Sequence, residues 1–365
     1  MPSSSLRPPT RHGRNVHDEL QALAAAHPAG LIRAARLTEV GWHPSTVERM
    51  TRAGVLVRVR RGVYAAGPAW RAAGVDERYR LRIHAEALEA RSTLCVSHRS
   101  AAAFHGLPAV GRWPDAVETT AVSATGGRSG GRRSVHRAGP APEWVVIDGV
   151  RVTSLVRTLA DVSITSPMRV SVPMLDAALR AHAPGLRMGR SRDLPPVPTP
   201  APTPARVRAR SGAAPASFDL RAQVLAEIAA IDPVRGRRRA EASVRFADAR
   251  AENAGESLSR VVIHESGFVA PDLQVQIDGV LGSYAIADFL WRGIRRIGEF
   301  DGTQKYLRSR EVSGLDPATV VFREKQREDA LRRLGFGMTR WDWAMLMQPT
   351  RLAALLRDAG VPLRA

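Results

Sequence analysis

Apolar positions recur at helical spacing from Val16 to Ala26 and again from Leu31 to Val40, so both segments are predicted to be short helices. The turn Gly41-Trp42-His43-Pro44-Ser45 leads into a third helix over Thr46 to Ala53, closed by Gly54. On that helix Val47 and Met50 form an inward stripe, which sends Ser45, Thr46, Arg49 and Arg52 outward. Val55 to Ala65 alternates apolar and basic side chains and reads as a hairpin carrying Arg58, Arg60 and Arg61. Three short helices and a basic hairpin are the parts of a winged helix-turn-helix, assigned to residues 16–67. Its third helix would face a DNA groove, and the hairpin arginines would meet phosphates.

Residues 78–183 read as a mixed α/β domain. Helices are expected over Tyr79 to Ala90, Ser97 to Pro108 and Pro173 to His182, with strands around Ala116 to Val122 and Val145 to Thr153. His98 and His105 share a helical face, but no third ligand is in view, so they are read as structural. Gly126 to Arg133 is read as a surface loop. Residues 185–217 then break the pattern: Leu194 to Pro204 is dense in proline, and a basic stretch, Arg206 to Ser211, follows. That composition forms neither helix nor central strand and reads as a linker.

Residues 218–365 carry the candidate chemistry. A helix over Ala251 to His264 holds Glu256; a strand over Leu273 to Ile277 turns at Asp278-Gly279 into a return strand, Ser283 to Trp291, which holds Asp288. A strand over Arg295 to Phe300 ends in Glu299-Phe300-Asp301-Gly302, followed by a helix (Thr319 to Leu334), a strand (Gly337 to Trp343) and a helix (Pro349 to Ala359). This order predicts an α/β sandwich around a mixed sheet and an α/β chain overall. Asp288 and Glu299 fall near the ends of neighbouring strands, and Asp301 shares the face of Glu299. Three acids without an evident partner arginine call for a divalent cation, and oxygen ligands select Mg²⁺ or Mn²⁺. Glu256 would complete such a site, which could polarise a phosphodiester and activate water.

Charge strengthens the nucleic-acid reading. The 365 residues include 54 Lys plus Arg against 35 Asp plus Glu, a formal net charge of +19. That is the footprint of a polyanion partner, and DNA is the partner expected. Only Lys305 and Lys325 are lysines, and both fall in the candidate site region. A movable ammonium suits a transition-state oxygen or nucleophilic water, which nominates Lys305; Lys325 has the plainer alternative of pairing with Asp329. The one cysteine, Cys95, excludes an intrachain disulfide and a Cys-rich zinc site. Neither a signal peptide nor a membrane-length apolar run appears, so a cytoplasmic protein is expected.

Two resemblances add to this reading. Leu31 to Gly67, above all Arg58-Val59-Arg60-Arg61-Gly62-Val63-Tyr64-Ala65, resembles the N-terminal domain of AbiEi-type antitoxins, as do Ser97-His98, His105-Gly106-Leu107-Pro108 and Arg157-Thr158-Leu159-Ala160-Asp161. This resemblance implies a transcriptional repressor, with a toxin or other defence-system component as candidate partner. Gly255-Glu256-Ser257, Ala287-Asp288-Phe289-Leu290-Trp291, Gly298-Glu299-Phe300-Asp301-Gly302, Lys305-Tyr306, Glu324-Lys325-Gln326-Arg327-Glu328-Asp329 and Thr339-Arg340-Trp341 resemble the very-short-patch-repair-like branch of the PD-(D/E)XK nucleases. It implies metal ligation by Asp288 and Glu299, support from Glu256, and a divalent-metal endonuclease acting in phage defence or DNA repair. Arg327 and Arg340 are then read as phosphate contacts. The chain departs from that pattern where the usual lysine, two residues past the glutamate, is Asp301, and where Thr303-Gln304-Lys305 replaces histidines. A non-enzymatic repressor with an inactive nuclease fold is the alternative.

Overall fold

The computed structural model describes residues 16–88, 94–121, 128–130, 132–137, 141–183, 219–231, 235–281, 283–302 and 317–365. The 185–217 linker, Lys305 and Tyr306 lie outside them. The described residues form two compact units, one running to Gly106 and from Arg112 to Thr158, the other comprising Leu107–Gly111 and the chain from Leu159 onward.

The first unit begins with α1 (Val16–Ala25), β1 (Leu31–Arg33), α2 (Ala34–Glu39), α3 (Pro44–Arg52), β2 (Leu56–Arg60) and β3 (Val63–Ala66). The three strands form one sheet in the order β1-β3-β2. Leu31–Arg33 is therefore a strand and not the start of the expected helix. Leu31 packs with Val59, Val63, Ala65 and Ala85, whereas Ile32 packs with Leu37, Trp42 and Tyr64. Neighbouring side chains that enter different clusters have the two-residue alternation of a strand. Helix α3 starts two residues before the expected Thr46, with Pro44 in its first turn and His43 as N-cap, its ring accepting from the Ser45 N–H at 3.4 Å.

After α4 (Gly67–Ala72) and α5 (Val75–Leu88) come β4 (Cys95–Val96), α6 (His98–Phe104), β5 (Val117–Ala121), β6 (Arg128–Gly130), β7 (Arg133–Arg137), β8 (Trp144–Ile147) and β9 (Val150–Thr153). Strands β4 to β9 make a six-stranded mixed sheet in the order β6-β7-β5-β4-β9-β8. The expected Gly126–Arg133 surface loop thus contains strand β6. His98 and His105 are structural, as expected. His105 Nε2 hydrogen-bonds the Thr153 carbonyl at 2.8 Å, and the buried His98 ring stacks 3.7 Å from that of His136. Burial, helped by His136, pushes the His98 pKa down to about 3, so the ring is neutral.

Helix α7 (Leu155–Thr165) crosses from the first unit to the second, which continues with α8 (Met168–His182), α9 (Leu220–Ala230), α10 (Arg237–Phe246), α11 (Ala254–Glu265), β10 (Asp272–Val280), β11 (Ser283–Trp291), β12 (Arg296–Asp301), α12 (Pro317–Arg333), β13 (Gly337–Asp342), α13 (Trp343–Leu346) and α14 (Pro349–Asp358). The strand order is β10-β11-β12-β13, antiparallel except for the parallel pair β12–β13. Phe289, Phe300 and Trp341 pack with Leu258 and Val262 of α11 and Leu352 and Leu356 of α14; Leu290 and Ile297 pack with Ala330 and Leu331 of α12. A mixed sheet between helical layers results, which is the expected sandwich.

Helix α8 begins five residues before the expected Pro173 and keeps that proline inside it. Although part of the 78–183 segment, α8 packs in the second unit. The buried Asp176 of α8 accepts from Arg260 of α11 at 2.8 Å and from the Asp248 N–H at 2.7 Å. The expected Asp278-Gly279 turn is also displaced: β10 runs on to Val280 through a register shift between Asp278 and Val280.

Candidate functional site

The N-terminal candidate interface is built on the amphipathic α3. Val47 and Met50 are buried in the core with Trp42 and Leu56, while Ser45, Arg49 and Arg52 are exposed and Thr46 is half-buried. The face expected to meet DNA is therefore the solvent face. On the adjoining hairpin, Arg58 and Arg61 are exposed, and Arg58 lies 5.9 Å from the Tyr64 ring centroid. Arg60 differs: its guanidinium pairs with Glu86 of α5 at 3.0 Å, and the Glu86 side chain is only 7% exposed. A buried carboxylate holds that charge inward. That pair ties the hairpin to α5 at Arg60, a residue expected to meet a phosphate.

In the second unit, strand register gathers the predicted residues. Phe289 pairs with Gly298, which sets Asp288 opposite Glu299; Glu299 pairs with Arg340 across the parallel step. The pairs Leu273–Phe289 and Val275–Ala287 set Gln274 opposite Asp288. One row of side chains therefore crosses all four strands: Gln274, Asp288, Glu299, Arg340. Gly255 brings the first turn of α11 against this sheet, since a Cβ there would lie 2.0 Å from the Phe300 ring. Asn253 caps that turn, accepting from the Gly255 N–H at 2.9 Å and the Glu256 N–H at 3.0 Å.

Glu256 and Asp288 converge on one donor. Gln274 Nε2 donates to Glu256 at 3.0 Å and to Asp288 at 3.4 Å. Glu256, which is buried, also accepts from the Glu252 N–H at 2.8 Å and from the Asn253 side chain, and Asp288 accepts from the Phe300 N–H at 3.0 Å. Glu299 is engaged elsewhere. Arg327 of α12 pairs with one of its oxygens at 2.8 Å and Arg340 with the other at 2.9 Å. The same arginines also reach Glu324, at 2.7 and 2.6 Å, and Arg340 reaches Glu328 at 2.9 Å. Burial alone would lower the Arg327 pKa, but the Glu324 and Glu299 carboxylates outweigh it and raise it.

The expectation of acids without partner arginines is corrected for Glu299, whose partners are Arg327 and Arg340. Asp301 is half-buried at the end of β12, opposite Asp342, and Lys325 is exposed on α12. Lys305 lies outside the described residues. Protein donors take oxygens of Glu256, Asp288 and Glu299, and among the described residues no group of three or more His, Cys, Asp or Glu could hold a metal ion.

Comparison with known proteins bears on the first unit. Residues 18–67 match the family described as "Transcriptional regulator, AbiEi antitoxin". The chain thus carries an AbiEi-type regulator domain at its N-terminus. Among curated proteins it is similar to Uncharacterized protein MT2308 of Mycobacterium tuberculosis (strain CDC 1551 / Oshkosh) and to Uncharacterized protein Rv2248 of Mycobacterium tuberculosis (strain ATCC 25618 / H37Rv), each 34% identical over 91 residues. Those 91 residues are 25% of this chain and 30% of each relative.

The AbiEi-type match spans α3 and the hairpin, so the exposed arginines belong to a segment with a regulator's likeness. Sequence reasoning missed Gln274, the residue Glu256 and Asp288 share. Its place beside Asp288 follows from the observed register, which the displaced turn hid from the sequence. Among the described residues no helix is long and apolar enough to cross a membrane.

Proposed function

We propose that this chain is a DNA-binding transcriptional regulator that reads DNA through its AbiEi-type winged helix. Helix α3 enters the major groove with Ser45, Thr46, Arg49 and Arg52 toward the bases, and Arg58 and Arg61 contact the flanking phosphates. The observation that carries this reading is the sorting of α3, with Val47 and Met50 buried and Arg49 and Arg52 exposed, inside the segment that matches the regulator family. The net charge of +19 supplies the long-range attraction. Selection of duplexes from a random pool by the full chain should enrich a recurrent motif, and Arg49→Ala should relax one position of it by about 1–3 kcal/mol. Enrichment that yields no motif would refute the reading.

One observation favours a second reading, divalent-metal hydrolysis of DNA in defence or repair: Glu256 and Asp288 share Gln274. The clamp on Glu299 weighs against it. Plasmid incubated with the full chain and Mg²⁺ or Mn²⁺ separates the two. Cleavage that Asp288→Ala abolishes supports a nuclease, and binding without cleavage supports the regulator. A toxin or defence-system partner is proposed from the AbiEi likeness alone, and co-purification from cells carrying the neighbouring genes tests it.

A further inference from the structure

The second unit holds a cavity of about 190 Å³ that neither the reader nor the carboxylate row uses, lined by the last turns of α11, the end of α10 and the start of β10. Its floor is apolar, formed by the buried Ile263, Phe268 and Leu273. Two rings stand beside it, Phe246 and His264, with centroids 4.9 Å apart and planes inclined at 52°.

The charged groups of the lining decide what it could take. Arg250 is neutralised by Asp248, which it grips with Nη2 at 2.7 Å and Nε at 3.1 Å. Arg260 is neutralised by Asp176 and lies 4.7 Å from the Phe246 ring centroid. Arg364 differs, since its partners are the ring Nδ1 of His264, at 2.9 Å, and the His264 carbonyl. With a carbonyl and an accepting imidazole nitrogen as its partners, no carboxylate among the described residues pairs with its guanidinium. Burial and Arg364 together hold the His264 pKa below the ordinary histidine value, which keeps that ring the acceptor.

We propose that this cavity binds a flat ring bearing an anionic group, with the ring against Phe246, Phe268 and Leu273 and the anion on Arg364. Aromatic faces and an apolar floor favour a planar body, and one guanidinium without a described carboxylate partner favours one negative group. At about 190 Å³ the cavity falls below the roughly 300–1,000 Å³ of drug-sized sites, which limits the enclosed part of the occupant to one flat ring. Two sources share that chemistry, a small aromatic carboxylate and a pyrimidine nucleotide. The inference is independent of the DNA-reading proposal, because it uses no residue of the first unit.

The test is calorimetric titration of the full chain with benzoate and thymidine 5′-monophosphate, beside their uncharged counterparts benzamide and thymidine. At least one anionic probe should bind with Kd below about 1 mM and its neutral counterpart at least about tenfold more weakly. Arg364→Met, at an exposed position, should weaken the anionic probe about tenfold while leaving Tm unchanged. Benzoate binding alone identifies a carboxylate pocket, and thymidine monophosphate binding identifies a nucleotide pocket. No heat from either anion, or equal affinity for Arg364→Met, overturns the proposal.

Discussion

Three exposed arginines of α3 and the adjoining hairpin, Arg49, Arg58 and Arg61, differ from Arg260, Arg327 and Arg340 of the second unit in the presence of a carboxylate partner, which Arg52 and Arg60 of the first unit also have, in Glu48 and Glu86. Arg49, Arg58 and Arg61 are exposed, and their described contacts include no acid. Arg260, Arg327 and Arg340 each hold at least one carboxylate within 2.9 Å. A composition of 54 basic residues gives both sets the same weight, yet only the first set has charge to offer a phosphate. Where a guanidinium's partner lies decides whether its charge is held within the fold or faces solvent.

The contrast has measurable consequences. The largest belongs to the most buried pair: Arg260→Met strands the Asp176 carboxylate and should cost about 3–5 kcal/mol, read by urea unfolding. A loss under about 1 kcal/mol would show that the pair is dispensable. Acid should act on the first unit next. Folding depresses the pKa of His84 to about 4 and of His98 to about 3, chiefly by burial, from an ordinary 6.5. Their contribution is complete above pH 6.5 and is lost as pH falls, because the unfolded chain takes up the protons first. Acidification from 6.5 toward the two folded pKa values should lower the hydrogen-exchange protection factors of α5 and α6, once intrinsic exchange rates are allowed for; protection that stays constant over that range would contradict the assignment. Smaller still, Arg340→Met opens a clamp that is one-third exposed and should cost about 1–2 kcal/mol in Tm-derived stability. Smallest, Arg58→Ala or Arg61→Ala should change stability by less than about 0.5 kcal/mol, and a larger loss would place them with the paired set.

Local pattern made half of this legible. The stripe of Val47 and Met50 in α3, the β2–β3 hairpin and the return strand Ser283–Trp291 follow from spacing over a few residues. Leu31–Arg33 was not readable as a strand, because three residues set no period and its pairing with Val63–Ala65 comes from thirty residues away. Helices α9 and α10 escaped attention beside the proline-rich stretch, and Pro173 hid the first turn of α8. The site divides the same way. Spacing put Glu299 and Asp301 on one face and Asp288 on the neighbouring strand. The arginine clamp was invisible because Glu299 meets Arg327 and Arg340 from 28 and 41 residues away. Arg60 shows the same limit, since Glu86 claims it from another helix.

The most direct test of the account is the dependence of DNA affinity on salt, measured by fluorescence anisotropy for the full chain, the Arg58→Ala/Arg61→Ala variant and the Arg327→Met/Arg340→Met variant. Loss of the two hairpin arginines should reduce the slope of log K against log salt by about two, while the clamp variant keeps the parent slope. A slope that survives the hairpin substitutions and falls in the clamp variant would move the DNA interface to the second unit and contradict the account.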